Sequence, residues 1–262
     1  MCRRICFLVV LGLLLCSQVF ASPVNLPSGI IGKEGLFLKE KISDIVSISG
    51  SFLYDNFTRK IKGGGEDAKI NANFYGGQIN FILFNRFDLY ALLGGVNNAE
   101  IKGNDSGSDW KLEFNDKLMW GLGLSGMIYE WEKIGIQIFG DANYRQSTNI
   151  GDKSLTIDGD TYSPGEYGVV SKTKWQEWQV ALGVSKTFKY FVPYAGVAYS
   201  DIKASTEVTY SGDTYGSDKA ESKGKVGPFI GVTIIPLKGV SIDLGGRFVD
   251  EAAFSAKATV RF

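Results

Sequence analysis

The sequence predicts an all-β protein, a transmembrane antiparallel up-and-down β-barrel of about 10 strands. Three observations support this prediction. The chain alternates between apolar and polar residues in segments of about ten, which is the period of a membrane-spanning strand. The breaks between these segments are alternately short and long, as in outer-membrane barrels. An export signal precedes them, and no later run of about 18 apolar residues predicts a membrane-spanning helix.

The first 21 residues have the features of a secretory signal peptide. Arg3-Arg4 supply a basic start, and Ile5 to Leu15 form an apolar stretch that is too short to span a bilayer. Val19-Phe20-Ala21 then fits the cleavage pattern. We therefore expect cleavage after Ala21, which divides the chain into a signal peptide, 1–21, and an outer-membrane β-barrel domain, 22–262.

The composition excludes several classes of function. The 262 residues include 28 basic and 28 acidic side chains and no histidine. Balanced charge argues against a nucleic-acid partner, and the lack of histidine removes histidine-dependent catalysis and zinc binding. All three cysteines (Cys2, Cys6 and Cys16) lie in the signal peptide, so the mature chain has no thiolate or disulfide. We expect no enzymatic activity, no cofactor and no metal.

The predicted strands follow one another along the mature chain. In most of them one face is apolar and the other is polar; these are 46–55, 120–128, 134–145, 177–185, 226–234, 240–248 and 254–262. In the last, Phe254 and Phe262 share a face, whereas Lys257 and Arg261 lie on the opposite face. The segments 74–83 and 87–96 also indicate strands, but their faces are ambiguous, and 193–200 indicates a strand with a proline near its start, where a missing backbone N–H is tolerated.

The connections between the strands alternate in length, and this sets their orientation. Short turns are predicted at 85–86, 131–133, 189–190 and 236–239. Long polar loops are predicted at 62–69, 102–111, 146–174 and 203–225, and the last connection, near Asp250-Glu251, is short. Because outer-membrane barrels have short periplasmic turns and longer extracellular loops, we expect both ends of the barrel domain on the periplasmic side.

Aromatic residues gather near both ends of the predicted strands, as expected at the two headgroup layers of a membrane. On the short-turn side these are Phe84, Phe87, Trp131, Phe188, Tyr190 and Phe191, and on the loop side they are Tyr54, Tyr144 and Tyr199. The C-terminal strand carries Phe254, Val260 and Phe262 on its apolar face, a pattern typical of the signal that barrel-assembly machinery recognises. The expected partners are this machinery and outer-membrane lipid, and homo-oligomerisation stays open.

Polar side chains on the opposite faces are predicted to line the lumen. They are Gln137, Asp141, Asn143, Arg145, Glu177, Gln179, Asp243, Arg247, Lys257 and Arg261. Charges of both signs around a narrow passage favour a porin-like channel for passive diffusion of small solutes and ions. The alternative is a filled barrel that acts as a surface-exposed structural or adhesin protein, because barrels of about eight strands are just filled by side chains. A soluble exported β-domain is a third interpretation.

Part of the chain resembles a known family. Glu177-Trp178-Gln179, the following VALGVS, FVPYAGVAYS at 191–200 and the stretch 231–262 look like the chlamydial major outer membrane porin family. LMWGLGLSGMIYEW at 118–131 is a looser match, so the resemblance covers roughly the C-terminal half of the chain. It implies a membrane barrel with a pore. Members of that family are longer and rich in cysteines that cross-link the envelope, so neither that role nor a wide pore carries over.

Overall fold

The computed structural model describes residues 23–32, 45–63, 66–105, 107–164, 169–210, 213–248 and 251–262, and the predicted signal peptide lies outside them. In chain order the elements are α1 Ser28–Ile31, β1 Val46–Gly63, β2 Glu66–Leu83, β3 Phe87–Asp105, β4 Ser108–Phe114, β5 Lys117–Trp131, β6 Ile136–Ile157, β7 Asp160–Tyr162, β8 Val169–Lys186, β9 Phe191–Tyr210, β10 Asp213–Ser222, β11 Val226–Leu237, β12 Val240–Arg247 and β13 Glu251–Arg261. Among these residues, no helix is long and apolar enough to cross a membrane.

Ten strands form a closed antiparallel ring, which confirms the predicted up-and-down barrel. Around the ring the order is β1, β2, β3, β5, β6, β8, β9, β11, β12 and β13. The last strand closes the ring against the first, with a register that runs from Ser49 opposite Arg261 to Arg59 opposite Glu251. Closure pairs the edge strands, whose polar backbone groups lipid could not satisfy.

Beyond this ring, on the side opposite the short turns, the barrel continues as a narrower one. The β12–β13 hairpin ends early, and above it β1 pairs directly with β10, with Ile61 opposite Ser222. The continuing wall then consists of β1, β2, β3, β4, β6, β8, β9 and β10. We call this part the outer extension.

The outer extension corrects one sequence-based expectation. The stretches 62–69, 102–111, 146–174 and 203–225, predicted as long polar loops, consist mostly of strand, and only short connections remain between the strands. Outside the hydrocarbon layer no strand face has to be apolar, so a strand can continue after its hydrophobic alternation has stopped. The predicted short turns do match the structure, where β2 and β3, for example, are separated only by residues 84–86.

The outer surface of the ring is apolar between two aromatic girdles. Phe254 of β13 and Phe262, which follows that strand, are 47% and 42% exposed, whereas Lys257 and Arg261 are buried inside. Exposed aromatic rings lie at the short-turn end; they are Phe84, Phe87, Trp131, Phe188, Tyr190 and Phe191. Tyr54, Tyr75 and Trp178 are exposed at the opposite end. A continuous apolar exterior with aromatic rims is the surface that a bilayer covers.

Candidate functional site in the barrel interior

The short-turn half of the lumen is occupied by the chain's own N-terminal segment. Pro23–Gly32, which we call the N-terminal plug, precedes β1 and lies almost wholly buried inside the ring. Its apolar side chains Val24, Leu26 and Ile30 pack in one cluster with barrel residues that include Phe139 and Phe229. The plug therefore fills space that small inward residues leave free on the surrounding strands.

Polar contacts fasten the plug to the wall. The backbone N–H and the hydroxyl of Ser28 both donate to Asp88 Oδ2, at 2.8 and 2.6 Å. Lys257 Nζ donates to Asn25 Oδ1 at 2.7 Å, and the Arg261 guanidinium donates to a carbonyl oxygen at the end of the plug. Each of these barrel side chains is buried, so the plug supplies part of their hydrogen bonding; Arg261 also donates to the side chains of Ser47 and Asn85.

An ion cluster closes the middle of the barrel. Arg145 Nη2 lies 2.6 Å from Glu177 Oε2, and Arg145 Nη1 lies 2.9 Å from Asp55 Oδ2. Arg247 Nη2 contacts the second oxygen of Asp55 at 3.1 Å. The guanidinium of Arg145 also lies 5.7 Å from the centre of the Phe74 ring. All four charged side chains are buried and belong to four different strands, so together they bridge the lumen.

Two tyrosine–aspartate pairs lie nearer the plug. Tyr90 donates its hydroxyl proton to Asp141 Oδ1 at 2.7 Å, and Tyr194 donates to Asp243 Oδ1 at 2.9 Å. Both rings cover a glycine of the neighbouring strand: Tyr90 is opposite Gly123, and Tyr194 is opposite a glycine of β11. The glycine gives the ring the space that a side chain would take, and the phenol reaches over that strand to the aspartate of the strand beyond it.

An apolar cluster fills the lumen on the far side of the ion cluster. Phe57 and Trp175 meet edge to face, with ring centres 4.9 Å apart. Buried aliphatic side chains from neighbouring strands, including Ile61, Ile70 and Ile150, complete this upper cluster and continue it into the outer extension. The described interior therefore runs from the plug through polar pairs and the ion cluster to a packed apolar core.

The structure places all ten predicted lumen residues inside the barrel, and it buries all of them. They are Gln137, Asp141, Asn143, Arg145, Glu177, Gln179, Asp243, Arg247, Lys257 and Arg261. Arg145, Glu177 and Arg247 meet in the ion cluster, and Lys257 and Arg261 hold the plug. Gln137 lies apart from them and hydrogen-bonds Glu130 and Thr187 near the short-turn end. Their role as the lining of a channel stays a prediction.

Several interior residues were not among the predicted set. Asp55 was on the correct face but was not selected, Tyr90 was on a segment whose faces were ambiguous, and Tyr194 was on a segment for which no faces were predicted. These strands carry apolar side chains on both faces: on β3, Leu92 is buried inside while Leu93 is exposed outside. The glycines opposite Tyr90 and Tyr194 were a signal for inward aromatic rings, because a ring needs such a gap.

A cavity of about 430 Å³ opens at the short-turn mouth. Its lining includes Ile31 and Gly32 of the plug, Tyr190 and the β11–β12 turn around Leu237. It is bounded on one side by the plug. Nowhere in the described residues do three or more side chains of the metal-binding types come together as a metal site.

Comparison with known proteins supports the fold and goes no further. No family model matches the chain, and no curated protein matches it, so the resemblance to the chlamydial porin family stays a prediction. Among solved structures, the outer membrane protease OmpT from Escherichia coli is similar with a TM-score of 0.52 at 10% identity, over 85% of this chain and 98% of that one.

Two further solved structures are similar at lower scores. The outer membrane protein OprG from Pseudomonas aeruginosa has a TM-score of 0.42 at 14% identity, over 83% of this chain and 96% of that one. Ail of Yersinia pestis, in complex with a heparin analogue, has a TM-score of 0.39 at 12% identity, over 83% and 99% of the two chains. At these identities the likeness concerns the outer-membrane barrel fold and no particular activity.

Proposed function

We propose that this chain is a closed barrel of the bacterial outer membrane that serves as a surface-exposed structural or adhesive protein. Export by the predicted signal peptide and recognition of the strand ending in Phe262 by barrel-assembly machinery are parts of this proposal. The observation that carries it is the filled lumen. Plug, ion cluster and upper apolar cluster occupy successive levels of the interior, and each is made of buried side chains.

The filled interior weighs against the porin-like channel predicted from the sequence. In an open pore, charged lining residues face water, as they do in the wide barrels of porins. Here Arg145 is 1% exposed and is held by two carboxylates. Ten strands also lie closer to the barrels that side chains fill than to the sixteen or so strands of open porins.

The outer extension supplies the surface that a structural or adhesive protein would expose outside the cell. Its interior is packed, and its outward face is rich in charge. Four lysines stand directly opposite one another on neighbouring strands; they are Lys60, Lys69, Lys102 and Lys111. Carboxylates flank this row, and a hydrogen bond from Lys111 holds the pKa of Glu113 below its usual range. A rigid, solvated surface with both charges fits a structural or adhesive role better than catalysis.

The test is single-channel recording of the refolded mature protein in a planar bilayer. We expect no discrete conductance steps from inserted protein whose folding is shown by the mobility shift between unheated and boiled samples on gels. A variant with Arg145→Gln, Arg247→Gln and Lys257→Gln distinguishes the alternatives. In a closed barrel these changes lower stability, whereas in a channel they shift ion selectivity. Reproducible steps with altered selectivity would establish the channel instead.

A further inference from the structure

A row of lysines crosses four strands on the outward face of the outer extension. Lys60 of β1 is directly opposite Lys69 of β2, and Lys69 is opposite Lys102 of β3. Lys102 is in turn opposite Lys111 of β4, and at the other end the backbone N–H of Lys223 donates to the carbonyl oxygen of Lys60. Directly opposite residues have Cβ atoms about 5 Å apart, so this lysine row carries one positive charge about every 5 Å.

The lysine row works against the stability of the sheet. Like charges directly opposite each other on neighbouring strands repel, whereas a lysine opposite a carboxylate is attracted to it. Another part of the outer extension follows the stabilising pattern, with Lys172 opposite Glu207 and Lys203 opposite Glu221. Sheet stability therefore does not explain the lysine row, and a bound anion would relieve its repulsion.

Carboxylates compensate one half of the row through exposed pairs. Lys102 Nζ lies 2.6 Å from Glu100 Oε1, and Lys111 Nζ lies 2.7 Å from Glu113 Oε1. None of these four side chains is buried. Such pairs contribute little to stability because water screens them, so an anion from solution can compete for both lysines.

The other half of the row has less compensation. The side chains of Lys60 and Lys69 are exposed, and neither forms a salt bridge with a carboxylate in the part of the chain that the structure describes. The charge of Asp67 acts on Lys60, but the Asp67 carboxylate is bonded to Lys223. Two adjacent ammonium groups are thus open to a ligand.

The lysine row lies beyond the membrane surface and is inclined to it. Lys60 comes six residues after the exposed Tyr54, whereas Lys111 comes nine residues before the exposed Trp120 of β5, which runs in line with β4 because both pair with β3. At about 3.3 Å per residue and a tilt near 45°, the row rises from roughly 14 Å to roughly 21 Å beyond these rings. A lipid headgroup layer is only about 5–8 Å deep, so the row faces solvent.

The surface around the row favours a sugar polymer over a nucleic acid. Proteins that hold single-stranded nucleic acids combine positive charge with aromatic rings on which the bases stack. The aromatic residues of β4, Trp110 and Phe114, instead pack inward in the upper apolar cluster. The outward neighbours of the row include Thr58 and Asn71, whose polar groups suit sugar hydroxyls.

We propose that the lysine row binds a linear anionic polysaccharide, whose sulfate or carboxylate groups lie along the row. The spacing of the lysines is comparable with the length of one sugar unit in an extended chain, so one charge per sugar matches one lysine per strand. This inference rests on the proposed function, because it requires the outer extension to be exposed outside the cell, and it specifies what an adhesive surface there would hold.

The test measures binding of fluorescent dextran sulfate to the mature protein, folded in nanodiscs of zwitterionic lipid, by fluorescence anisotropy. We expect binding that weakens as salt is added, and none of uncharged dextran of the same length. A variant with Lys60→Gln, Lys69→Gln, Lys102→Gln and Lys111→Gln should bind at least tenfold more weakly, because several contacts on one chain act together. These changes remove repulsion at exposed positions, so the gel shift of the folded barrel should persist.

The matched control removes four exposed lysines from β8, β9 and β10, and thus the same charge; its changes are Lys172→Gln, Lys174→Gln, Lys203→Gln and Lys219→Gln. We expect its affinity for dextran sulfate to stay within about twofold of the unchanged protein, since exposed charges that far from the row are screened. An equal loss in both variants would overturn the proposal, as would the absence of binding. A thymidine oligonucleotide that bound as tightly, with the same dependence on the row, would overturn the assignment to a polysaccharide.

Failure of this inference differs from failure of the proposed function. A folded barrel that neither conducts nor binds dextran sulfate would overturn the polysaccharide site and leave the closed barrel intact. Conductance steps from a barrel whose lysine row binds dextran sulfate would overturn the closed barrel and support the site.

Discussion

Arg145 shows how the buried positive and negative charges of the barrel interior compensate one another. Arg145 touches both Glu177 and Asp55, at 2.6 and 2.9 Å, so replacing it leaves two carboxylates buried with less compensation. Breaking a buried ion pair from one side costs about 3–5 kcal/mol. We expect Arg145→Gln to lower the free energy of unfolding by about that amount, measured from the urea dependence of the gel shift.

The control for this change is an exposed pair of the outer extension. Lys203 and Glu221 are 3.9 Å apart, and both side chains are 53% exposed. Solvent-exposed pairs contribute between zero and about 1 kcal/mol, so Lys203→Gln should leave the urea midpoint almost unchanged. Similar midpoints for the two variants would mean that water reaches Arg145, which is what an open lumen requires.

A glycine opposite an inward-facing aromatic ring is a second single-residue feature that determines the stability of the barrel. A Cβ added at Gly123 would lie 2.2 Å from the Tyr90 ring, so Gly123→Ala must displace the ring and its hydrogen bond to Asp141. Overpacking of this kind costs about 1–3 kcal/mol. We expect a loss of stability in that range, measured by thermal unfolding in detergent.

Gly77→Ala provides the comparison for this prediction. Gly77 lies on the outward face of β2, and nothing lies within 4 Å of an added Cβ there. The same chemical change should therefore alter the unfolding temperature very little. If the two alanine variants unfolded at the same temperature, the close packing between tyrosine and glycine in the lumen would be disproved.

The plug is the element whose position the sequence did not predict. Its ten residues carry no alternation and too little length for a periodic signal, so nothing local indicates that they lie inside the barrel. Their place depends on long-range contacts, such as Ser28 with Asp88 and Asn25 with Lys257. By contrast, the polar faces of β6, β8, β12 and β13 were predictable, because strict alternation with one lipid-facing side fixes the direction of each side chain.

Deleting residues 23–32 tests what the plug does. The ring keeps its strand pairing, so we expect the variant to insert and to retain the gel shift. It loses the burial of Val24, Leu26 and Ile30, each contributing about 1.5–3 kcal/mol, so its urea midpoint should fall clearly. Planar-bilayer recording should still show no steps, since the ion cluster and the upper apolar cluster remain. Stable conductance after the deletion would show that the plug alone closes a channel.

The strands of the outer extension show a second limit of sequence-based prediction. In β1 the alternation of apolar and polar residues is clear up to Tyr54, yet the strand continues to Gly63. The inward side chains remain apolar or paired, with Phe57 and Ile61 in the upper cluster and Arg59 bonded to Ser200. The outward side chains turn polar, so both faces carry polar residues, and hydrophobicity no longer marks the strand.

At the scale of the whole molecule, two belts of side chains around the barrel indicate where the membrane ends on the side of the outer extension. Tyrosine and tryptophan side chains form the first belt, at the end of the apolar exterior, and amide side chains form the second, two positions further along several of the strands. They bond across strands: Asn56 bonds Asn73, and Gln176 donates to Gln146 and to the hydroxyl of Tyr144. Amides that satisfy one another suit the headgroup layer, where the dielectric constant rises and aromatic rings prefer to lie.

Cysteine labelling on intact cells tests this placement, because the predicted mature chain contains no cysteine. Lys60→Cys and Lys69→Cys lie beyond the amides on the outward face of the extension, so a membrane-impermeant maleimide should label both. Phe52→Cys and Ile79→Cys point outward from the same strands within the apolar band, so lipid should protect them until the membrane is dissolved.

The same boundary sets the height of the outer extension. About eight residues of β1 project beyond it, which at about 3.3 Å per residue and a tilt near 45° gives an extension roughly 20 Å tall. Labelling of all four positions on intact cells would mean that lipid does not cover the band, and the barrel would then have to be a soluble exported domain.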